Sequence, residues 1–261
     1  MISLDAYKLK LIAIIGMILN HIPFALFEVL PYWLNFPLYV AGGLTFPIMA
    51  FFVVEGYKHT SNLKRYMLRL FVFGVISIPF HILVFRMIVP NIMFTIILSL
   101  LVLVLHDKIK IRPFFWILFV LILIVSMALM MDWYFIGIIV VLLYHKIQKE
   151  STRRVLPGII AGVFWFVMSL FAVISMAWAQ ATGVEIDMGG ISPIMMDIRF
   201  MTVTLVFIIG CIAAAFLLKG YNGERGKRMK WMFYAFYPLH LAVLSVLALA
   251  FGLVDLSVFG F

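Results

Sequence analysis

Hydrophobic positions in this chain are grouped into long blocks that short polar stretches separate. A helix needs roughly 20 mostly apolar residues to cross the hydrocarbon core of a membrane. Each block therefore predicts a membrane-spanning helix, and the split between the fifth and sixth rests on the short turn Met131-Asp132-Trp133. The predicted spans, about nine in number, are 8–28, 36–57, 66–86, 91–106, 113–131, 133–146, 156–179, 198–218 and 231–252.

Composition supports the same class of protein. The chain is 66% hydrophobic and only 12% charged, with a mean hydropathy of +1.19, and a soluble domain carries about twice that share of charge. Repeats and low-complexity segments are absent from the sequence, and the lone cysteine, Cys211, excludes a disulfide framework. We therefore expect an all-α polytopic integral membrane protein with about nine transmembrane helices (roughly 8–10) and one domain, 1–261.

Positive charge is distributed unevenly between the two sides of the predicted helices. If the N-terminus is cytoplasmic, all but two of the 20 Lys and Arg residues fall in cytoplasmic connections or at the cytoplasmic ends of spans, the exceptions being Arg86 and Arg199. Positive residues favour that side, so the chain is expected to be N-in and C-out. The clusters lie between apolar runs, which excludes nucleic acid as a partner. The longest outer connection, Gln180 to Asp197, holds acids and no Lys or Arg; it is a solvated loop or a screen for substrates.

Two histidines fall near the middle of predicted spans. His21 lies ~20 Å beyond Lys8, and His240 lies ~15 Å beyond Lys230, at the rise of an α-helix. A side chain that titrates near neutral pH is costly at that depth, which favours a functional role. The alternative is a histidine that hydrogen-bonds a neighbouring backbone. The two side chains would share a cavity if spans one and nine are adjacent.

Other polar residues have both structural and functional interpretations. Glu55, near the end of span two, either pairs with a cation such as Lys58, Arg65 or Arg69 or contacts substrate. Asn91 and Thr95 are one turn apart, and Asp132 either caps the sixth span or belongs to a site. The remaining histidines at inner span ends are expected to cap helices or meet lipid headgroups; they are His59, His106 and His145.

Basic residues form two clusters beside spans two and nine. Such clusters bind anionic membrane lipids or the phosphates of a cytoplasmic cofactor. The segment 223–228 lacks the spacing and the Ser/Thr of a P-loop. Neither of the metal-binding motifs HExxH and CxxC occurs, so no metal is expected. A nucleophile-elbow motif is also absent from the sequence. The residues that would contact phosphates are Lys64, Arg65, Arg69, Arg225, Lys227 and Arg228.

Five stretches carry a resemblance to a known family. They are 4–6 with 17–21, 46–47 leading to 54–60, the NIMFT of 91–95, Asp132 with Gly137, and Tyr221–Gly223 followed by Gly226 and by the KWMFYAFYPLHL of 230–241. In these the chain resembles the TraX family, named for a pilin N-terminal acetylase, which is similar to the larger transmembrane acyltransferases. The resemblance implies a bacterial plasma-membrane enzyme that moves an acetyl group from cytoplasmic acetyl-CoA to an amine or hydroxyl acceptor, either a peptide such as a pilin N-terminus or a small envelope molecule.

The resemblance also implies roles for particular residues. His21 is expected to be the general base, and Asn20 would orient it or hydrogen-bond the oxyanion. Adjacent helical residues point ~100° apart, however, so the alternative is that Asn20 and His21 do not share a cavity. His240 would be a second base, an acyl relay or a thioester contact. Glu55 is a further catalytic candidate, and the aromatic residues around Tyr237 either pack or line a tunnel for the pantetheine arm. Acceptor-binding candidates are His81, Asn91 and Asp132.

The sequence departs from the family pattern at three positions. Asn20 stands where an aspartate is expected, Gly43 stands where an arginine is expected, and His81 replaces an acid. Loss of an acid and a base together is coherent if the two normally pair, and it leaves the acceptor open.

Two other classes of function compete with acyl transfer. A proton-coupled transporter or flippase would use His21, Glu55 and His240 as a proton relay, although no inverted repeat is evident. A structural membrane subunit would leave the histidines in mid-membrane without a purpose. Acetyl-CoA binding by the purified protein would separate the first class from both.

Overall fold

The computed structural model describes residues 3–184, 197–228 and 230–254. These residues form helices and connections, with no β-strand among them. Most of the acidic connection that follows Gln180 lies outside the described residues. The helices are α1 (Ala6–Leu26), a 3₁₀ turn (Tyr32–Leu34), α2 (Asn35–Gly43), α3 (Thr45–His59), α4 (Leu63–Phe85), α5 (Ile92–Lys108), α6 (Arg112–Ala128), α7 (Tyr134–Lys146), α8 (Glu150–Thr182), α9 (Ile198–Thr204), α10 (Phe207–Lys219) and α11 (Lys230–Ala250).

Polar residues start several of these helices. Carboxylate or amide oxygens of Asp5, Asn62 and Asn91 accept hydrogen bonds from backbone N–H groups in the first turns of α1, α4 and α5. These N–H groups have no partner within the helix, so the caps define where each apolar run begins.

Within the described part of the chain, six helical segments are long and apolar enough to cross a membrane: 6–26, 32–59, 63–85, 150–182, 198–219 and 231–250. The helices α6 and α7 are apolar but shorter, and at 1.5 Å per residue α7 spans only ~20 Å. Each predicted span coincides with one helix or with two consecutive helices. The chain is therefore a multi-pass helical membrane protein, and the count of nine crossings stays a prediction.

The second predicted span is divided in the structure. Leu44 separates α2 from α3, and its N–H donates to Ala41 O rather than continuing the α-helical pattern. Pro47 follows three residues later and has no N–H to donate to Gly43 O. The Phe-Pro motif therefore produces the break.

Most connections that carry lysine and arginine meet at one end of the bundle, which we call the basic end. There the N–H of Ala6 donates to Glu224 O at 2.9 Å, and the Arg154 guanidinium donates to Tyr221 O at 2.8 Å. These contacts join the starts of α1 and α8 to the connection between α10 and α11.

The opposite end contains the two exceptional arginines. Arg86 pairs with Glu28 at 2.7 Å, and the Tyr32 hydroxyl donates to Arg199 O at 3.2 Å. The predicted grouping of the basic connections is thus present, and the side of the membrane that the basic end faces stays a prediction.

Small residues bring α2 and α10 into backbone contact. A Cβ on Gly210 would lie 1.9 Å from Val40 O, and one on Gly43 would lie 2.2 Å from Phe207 O. Close approach of this kind is how helices pack inside membranes. Helix α1 packs against α2 on one face and against α3, α4 and α11 on its other faces. This packing positions the site described next.

Candidate functional site

The two mid-span histidines meet across the interface between α1 and α11. Nδ1 of His21 lies 2.8 Å from Nε2 of His240, and the rings are nearly parallel with centroids 5.0 Å apart. Both side chains are buried, at 7% and 6% exposure. The prediction that they share one location is correct.

Hydrogen-bond partners determine which ring nitrogens carry protons. Nδ1 of His240 lies 2.9 Å from the carbonyl oxygen of Phe236, which only accepts, so this nitrogen carries the hydrogen. In a neutral ring Nε2 of His240 is then the acceptor, and Nδ1 of His21 must donate to it. The remaining nitrogen, Nε2 of His21, therefore has a free lone pair, as a general base requires.

Aromatic side chains surround the pair. The ring of Phe85 contacts the His21 ring edge-on, with ring centroids 5.2 Å apart, and stacks on the His81 ring, with centroids 4.5 Å apart. His81 is 2% exposed, and its Nδ1 has no hydrogen-bond partner among the residues that the structure describes. Tyr237 contacts His240 with ring centroids 5.5 Å apart. His81 and Tyr237 thus lie beside the pair, in an apolar environment that admits little water.

Lys10 occupies the same face of α1 as His21. Eleven residues correspond to about three helical turns and ~16 Å. The Lys10 ammonium lies 4.9 Å from the centre of the Phe52 ring and 5.4 Å from that of Phe233. Phe233 precedes His240 by seven residues, which is about two turns of α11. The α1–α11 interface therefore runs from a cation near the basic end to the histidine pair in mid-membrane.

Two of the predicted phosphate ligands lie at the start of this interface. The Arg69 guanidinium sits 5.4 Å from the centre of the Tyr234 ring, in the first turns of α11, and Arg225 lies close to Lys10. Lys227 is 6.0 Å from the ring of Tyr7. The other predicted ligands are exposed on the surface of the basic end; they are Lys64, Arg65 and Arg228.

Asn20 faces a different helix from His21. A Cβ on Gly42 would lie 2.2 Å from Oδ1 of Asn20, so this amide packs against α2. Its buried oxygen has no hydrogen-bond partner in the described part of the chain. Adjacent helical residues point about 100° apart, which explains the separation. The expectation that Asn20 orients the imidazole finds no contact in the structure. Gly43, next along α2, contacts Gly210 instead.

Glu55 lies at the basic end and forms the ion pair that was the structural alternative. Its carboxylate accepts a hydrogen bond from Arg153 of α8, and it lies 4.0 Å from Lys58 and 3.7 Å from His59. Arg153 also donates to Tyr144 O at 2.7 Å and is 7% exposed. Of the partners expected, Lys58 is present, whereas Arg65 and Arg69 do not take part. No contact joins Glu55 to the histidine pair among the described residues.

Asn91, Thr95 and Asp132 come together where α4, α5 and the α6–α7 turn meet. The Asn91 amide donates to Gly74 O at 2.9 Å, and the Thr95 hydroxyl donates to Asp132 O at 2.5 Å. The Asp132 N–H donates to Pro90 O at 3.0 Å. These bonds fix helix starts. The N-cap position of α7 is Trp133, which makes no side-chain cap, whereas the Asp132 carboxylate accepts from the backbone N–H groups of Trp133 and Ile92. Asp132 thus lies one residue before the cap position, and its contacts are with helix starts.

Sequence reasoning missed several residues of these sites. Lys10 is one of them, and its spacing of about three turns from His21 is a signal that could have identified it. Arg153, which pairs with Glu55, and Asp107, which accepts hydrogen bonds from His145, His106 and Tyr57, are the others. No sequence pattern links these partners, because they come from separate helices.

Comparison with known proteins identifies the family of the chain. The probable fimbrial assembly protein FimC, serogroup H1, of Dichelobacter nodosus is 45% identical over 80 residues, which cover 31% of this chain and 32% of that protein. The chain thus aligns with about a third of that relative's length. No solved structure matches the chain. The model of the family described as TraX protein matches residues 5–248. Because this match covers nearly the whole chain, the chain belongs to the TraX family.

Proposed function

We propose that this protein is an acyltransferase that moves the acetyl group of acetyl-CoA to an amine or hydroxyl acceptor within a bacterial plasma membrane. The observation that carries the proposal is the contact between His21 and His240, with the free lone pair that it leaves on Nε2 of His21. A structural subunit has no need of two histidines paired in mid-membrane, where each polar group costs free energy.

The chemistry that this pair supports is deprotonation of the acceptor. As the acceptor nitrogen or oxygen attacks the thioester carbonyl carbon, its proton passes to Nε2 of His21. The new C–N or C–O bond forms, the C–S bond breaks, and the proton then passes to the departing thiolate of CoA. Throughout these steps Nε2 of His240 accepts the hydrogen bond from Nδ1–H of His21. This bond orients His21 and stabilises its transient positive charge, as the carboxylate does in a catalytic triad. His240 is therefore a positioning residue.

The cations at the basic end support a donor that enters there. Lys10, Arg69 and Arg225 stand near the first turns of α11, and arginine forks bind phosphates well. Along α1, ~16 Å separates Lys10 from His21, a length that an extended pantetheine arm can span. With the basic end in the cytoplasm, as the distribution of charge favours, cytoplasmic acetyl-CoA meets this end first. The proposal includes about nine membrane crossings, with the N-terminus in the cytoplasm and the C-terminus on the opposite side of the membrane.

The acceptor would reach the histidine pair from the end of the bundle opposite the basic end. His81 stacks on Phe85, which separates it from His21. Its buried Nδ1 has no hydrogen-bond partner among the described residues, so it suits a polar group of the acceptor. The relative is named as a fimbrial assembly protein, which favours a pilus-related peptide amine over a small envelope molecule. Asn91 and Asp132 are less suited to acceptor binding, because the Asn91 amide and the Asp132 backbone hold helix starts together.

A proton-coupled transporter is the competing function, since buried histidines also relay protons. Calorimetry with acetyl-CoA on detergent-purified protein separates the two. We expect saturable binding that Arg69→Ala/Arg225→Ala weakens at least tenfold, whereas Lys108→Ala/Lys110→Ala, which removes two basic residues of the α5–α6 connection, leaves it unchanged. Absence of binding by well-folded protein, together with proton flux in liposomes that contain no CoA, would overturn acyl transfer.

A further inference from the structure

A second group of chemically active side chains lies at the basic end, apart from the histidine pair. Oδ1 of Asp107 is 2.8 Å from Nε2 of His145 and 3.1 Å from Nδ1 of His106. The donor atoms of these three residues all lie within 4.8 Å of one another. Two imidazoles and one carboxylate are a set of ligands that divalent transition metals commonly use.

The helices that supply these residues favour a cation at this point. His106 and Asp107 belong to the last turn of α5, His145 belongs to the last turn of α7, and Tyr57 comes from the last turn of α3. The C-terminus of a helix carries a partial negative charge. Three such ends converge here, so their dipoles add to the charge of the Asp107 carboxylate.

The spacing of the donor atoms is close to that of a metal site. A tetrahedral ion with bonds of about 2.1 Å separates its ligand atoms by about 3.4 Å. The two distances to Oδ1 of Asp107 are shorter than this by less than one ångström. Small rotations of the three side chains would therefore admit an ion without movement of the helices. The cluster borders an open cavity of ≈ 440 Å³, which leaves room for water as a fourth ligand.

Cationic residues around the cavity are engaged elsewhere. The Lys146 ammonium lies 5.2 Å from the centre of the Trp116 ring. Arg153 pairs with Glu55 and Glu150, and Lys58 lies beside the same Glu55. Their repulsion of a bound cation is therefore partly offset by these partners.

We propose that His106, Asp107 and His145 bind one divalent first-row transition-metal ion, such as Zn²⁺, which joins the ends of α5 and α7. The Tyr57 hydroxyl donates to Oδ2 of Asp107 at 2.8 Å and holds the carboxylate in the orientation that binding needs, as partners of metal ligands generally do. No sequence motif indicates this site, because only folding brings the two histidines together. The proposal is independent of acyl transfer.

The test is metal binding by the full-length, tag-free protein in detergent, after treatment with a chelator. Titration with Co²⁺ followed by visible absorption, and with Zn²⁺ followed by calorimetry, measures stoichiometry and geometry. We expect one equivalent of either ion and the intense absorption of a tetrahedral Co²⁺ site. His145→Ala should abolish binding. His59→Ala is the matched control and should leave binding unchanged, because His59 is an exposed histidine at the same end of the bundle that is not one of the three ligands.

A milder substitution guards against loss of folding. Tyr57→Phe keeps all three ligands and should weaken Zn²⁺ binding by about tenfold, and Zn²⁺ should raise the melting temperature of the wild type but not of His145→Ala. Two results would overturn the proposal: no stoichiometric binding by well-folded wild type, or equal binding by wild type and His145→Ala.

Discussion

Nδ1 of His21 donates to Nε2 of His240 across 2.8 Å, although 219 positions separate the two residues along the chain. The contact joins α1 to α11. It also defines the two rings chemically, because the Phe236 carbonyl fixes one tautomer and the other ring follows. The free Nε2 of His21 is the direct consequence.

Substitution of His240 should lower the rate of transfer and leave donor binding intact. With His240→Ala, His21 loses the acceptor that fixes its tautomer, so we expect kcat to fall by about 100-fold with little change in acetyl-CoA affinity. His240→Gln should recover part of the rate, because its amide oxygen can accept from Nδ1 of His21. Ser245→Ala, one turn further along α11, is the matched control. Equal rates for wild type and His240→Ala would refute this role.

Glu55 should matter for stability rather than for chemistry. Glu55→Gln leaves the buried Arg153 without its main counter-charge, and we expect destabilisation of about 3 kcal/mol, as for broken buried ion pairs. Thermal unfolding in detergent measures this as a lower melting temperature. Lys58→Ala, which removes a longer and more exposed contact, should change little. If Glu55→Gln is as stable as wild type but cannot transfer acetyl groups, Glu55 belongs to the reaction instead.

The contact between α2 and α10 should tolerate no added side chain. A Cβ at position 210 would meet Val40 O at 1.9 Å, so Gly210→Ala must push the helices apart, at a cost of about 1–3 kcal/mol. Ile209→Ala, on the exposed side of α10, is the control and should be nearly neutral. A melting temperature for Gly210→Ala that matches the control would contradict this packing.

Orientation can be tested by cysteine labelling in intact cells. In a Cys211→Ala background, Ile88→Cys lies on an exposed surface at the end opposite the basic end, and Lys108→Cys lies at the basic end. The positive-inside rule predicts that an impermeant maleimide labels position 88 at once and position 108 only after permeabilisation. The reverse order would show that the basic end faces outward.

The helices and the positions of the two histidines within them were predictable because both follow from local spacing. Long apolar runs specify helices in a membrane, and counting residues from Lys8 and Lys230 placed both histidines at mid-depth. The break at Leu44 and the partner of Glu55 were not predictable. Arg153 lies 98 positions from Glu55, and only the packing of α3 against α8 selects it over nearer cations.

The Asn20 prediction shows a second limit of sequence reasoning. Asn20 is adjacent to His21 in sequence, but one step of the helix turns it toward α2 and Gly42. Of the two alternatives that the sequence left open, the structure shows the one in which the ~100° between adjacent helical residues separates them. By the same geometry, Lys10 at three turns from His21 was the better candidate for a residue on the histidine face.

The most direct test of the central claim is transfer of an isotopically labelled acetyl group, followed by mass spectrometry. Purified protein in lipid vesicles would receive labelled acetyl-CoA and a panel of peptide amines and hydroxyl compounds, with wild type and His21→Ala compared side by side. The account predicts an acetylated product with wild type, a rate at least about 100-fold lower with His21→Ala, and equal acetyl-CoA binding by both. Equal rates of transfer, or no transfer to any acceptor by wild type that binds acetyl-CoA, would contradict it.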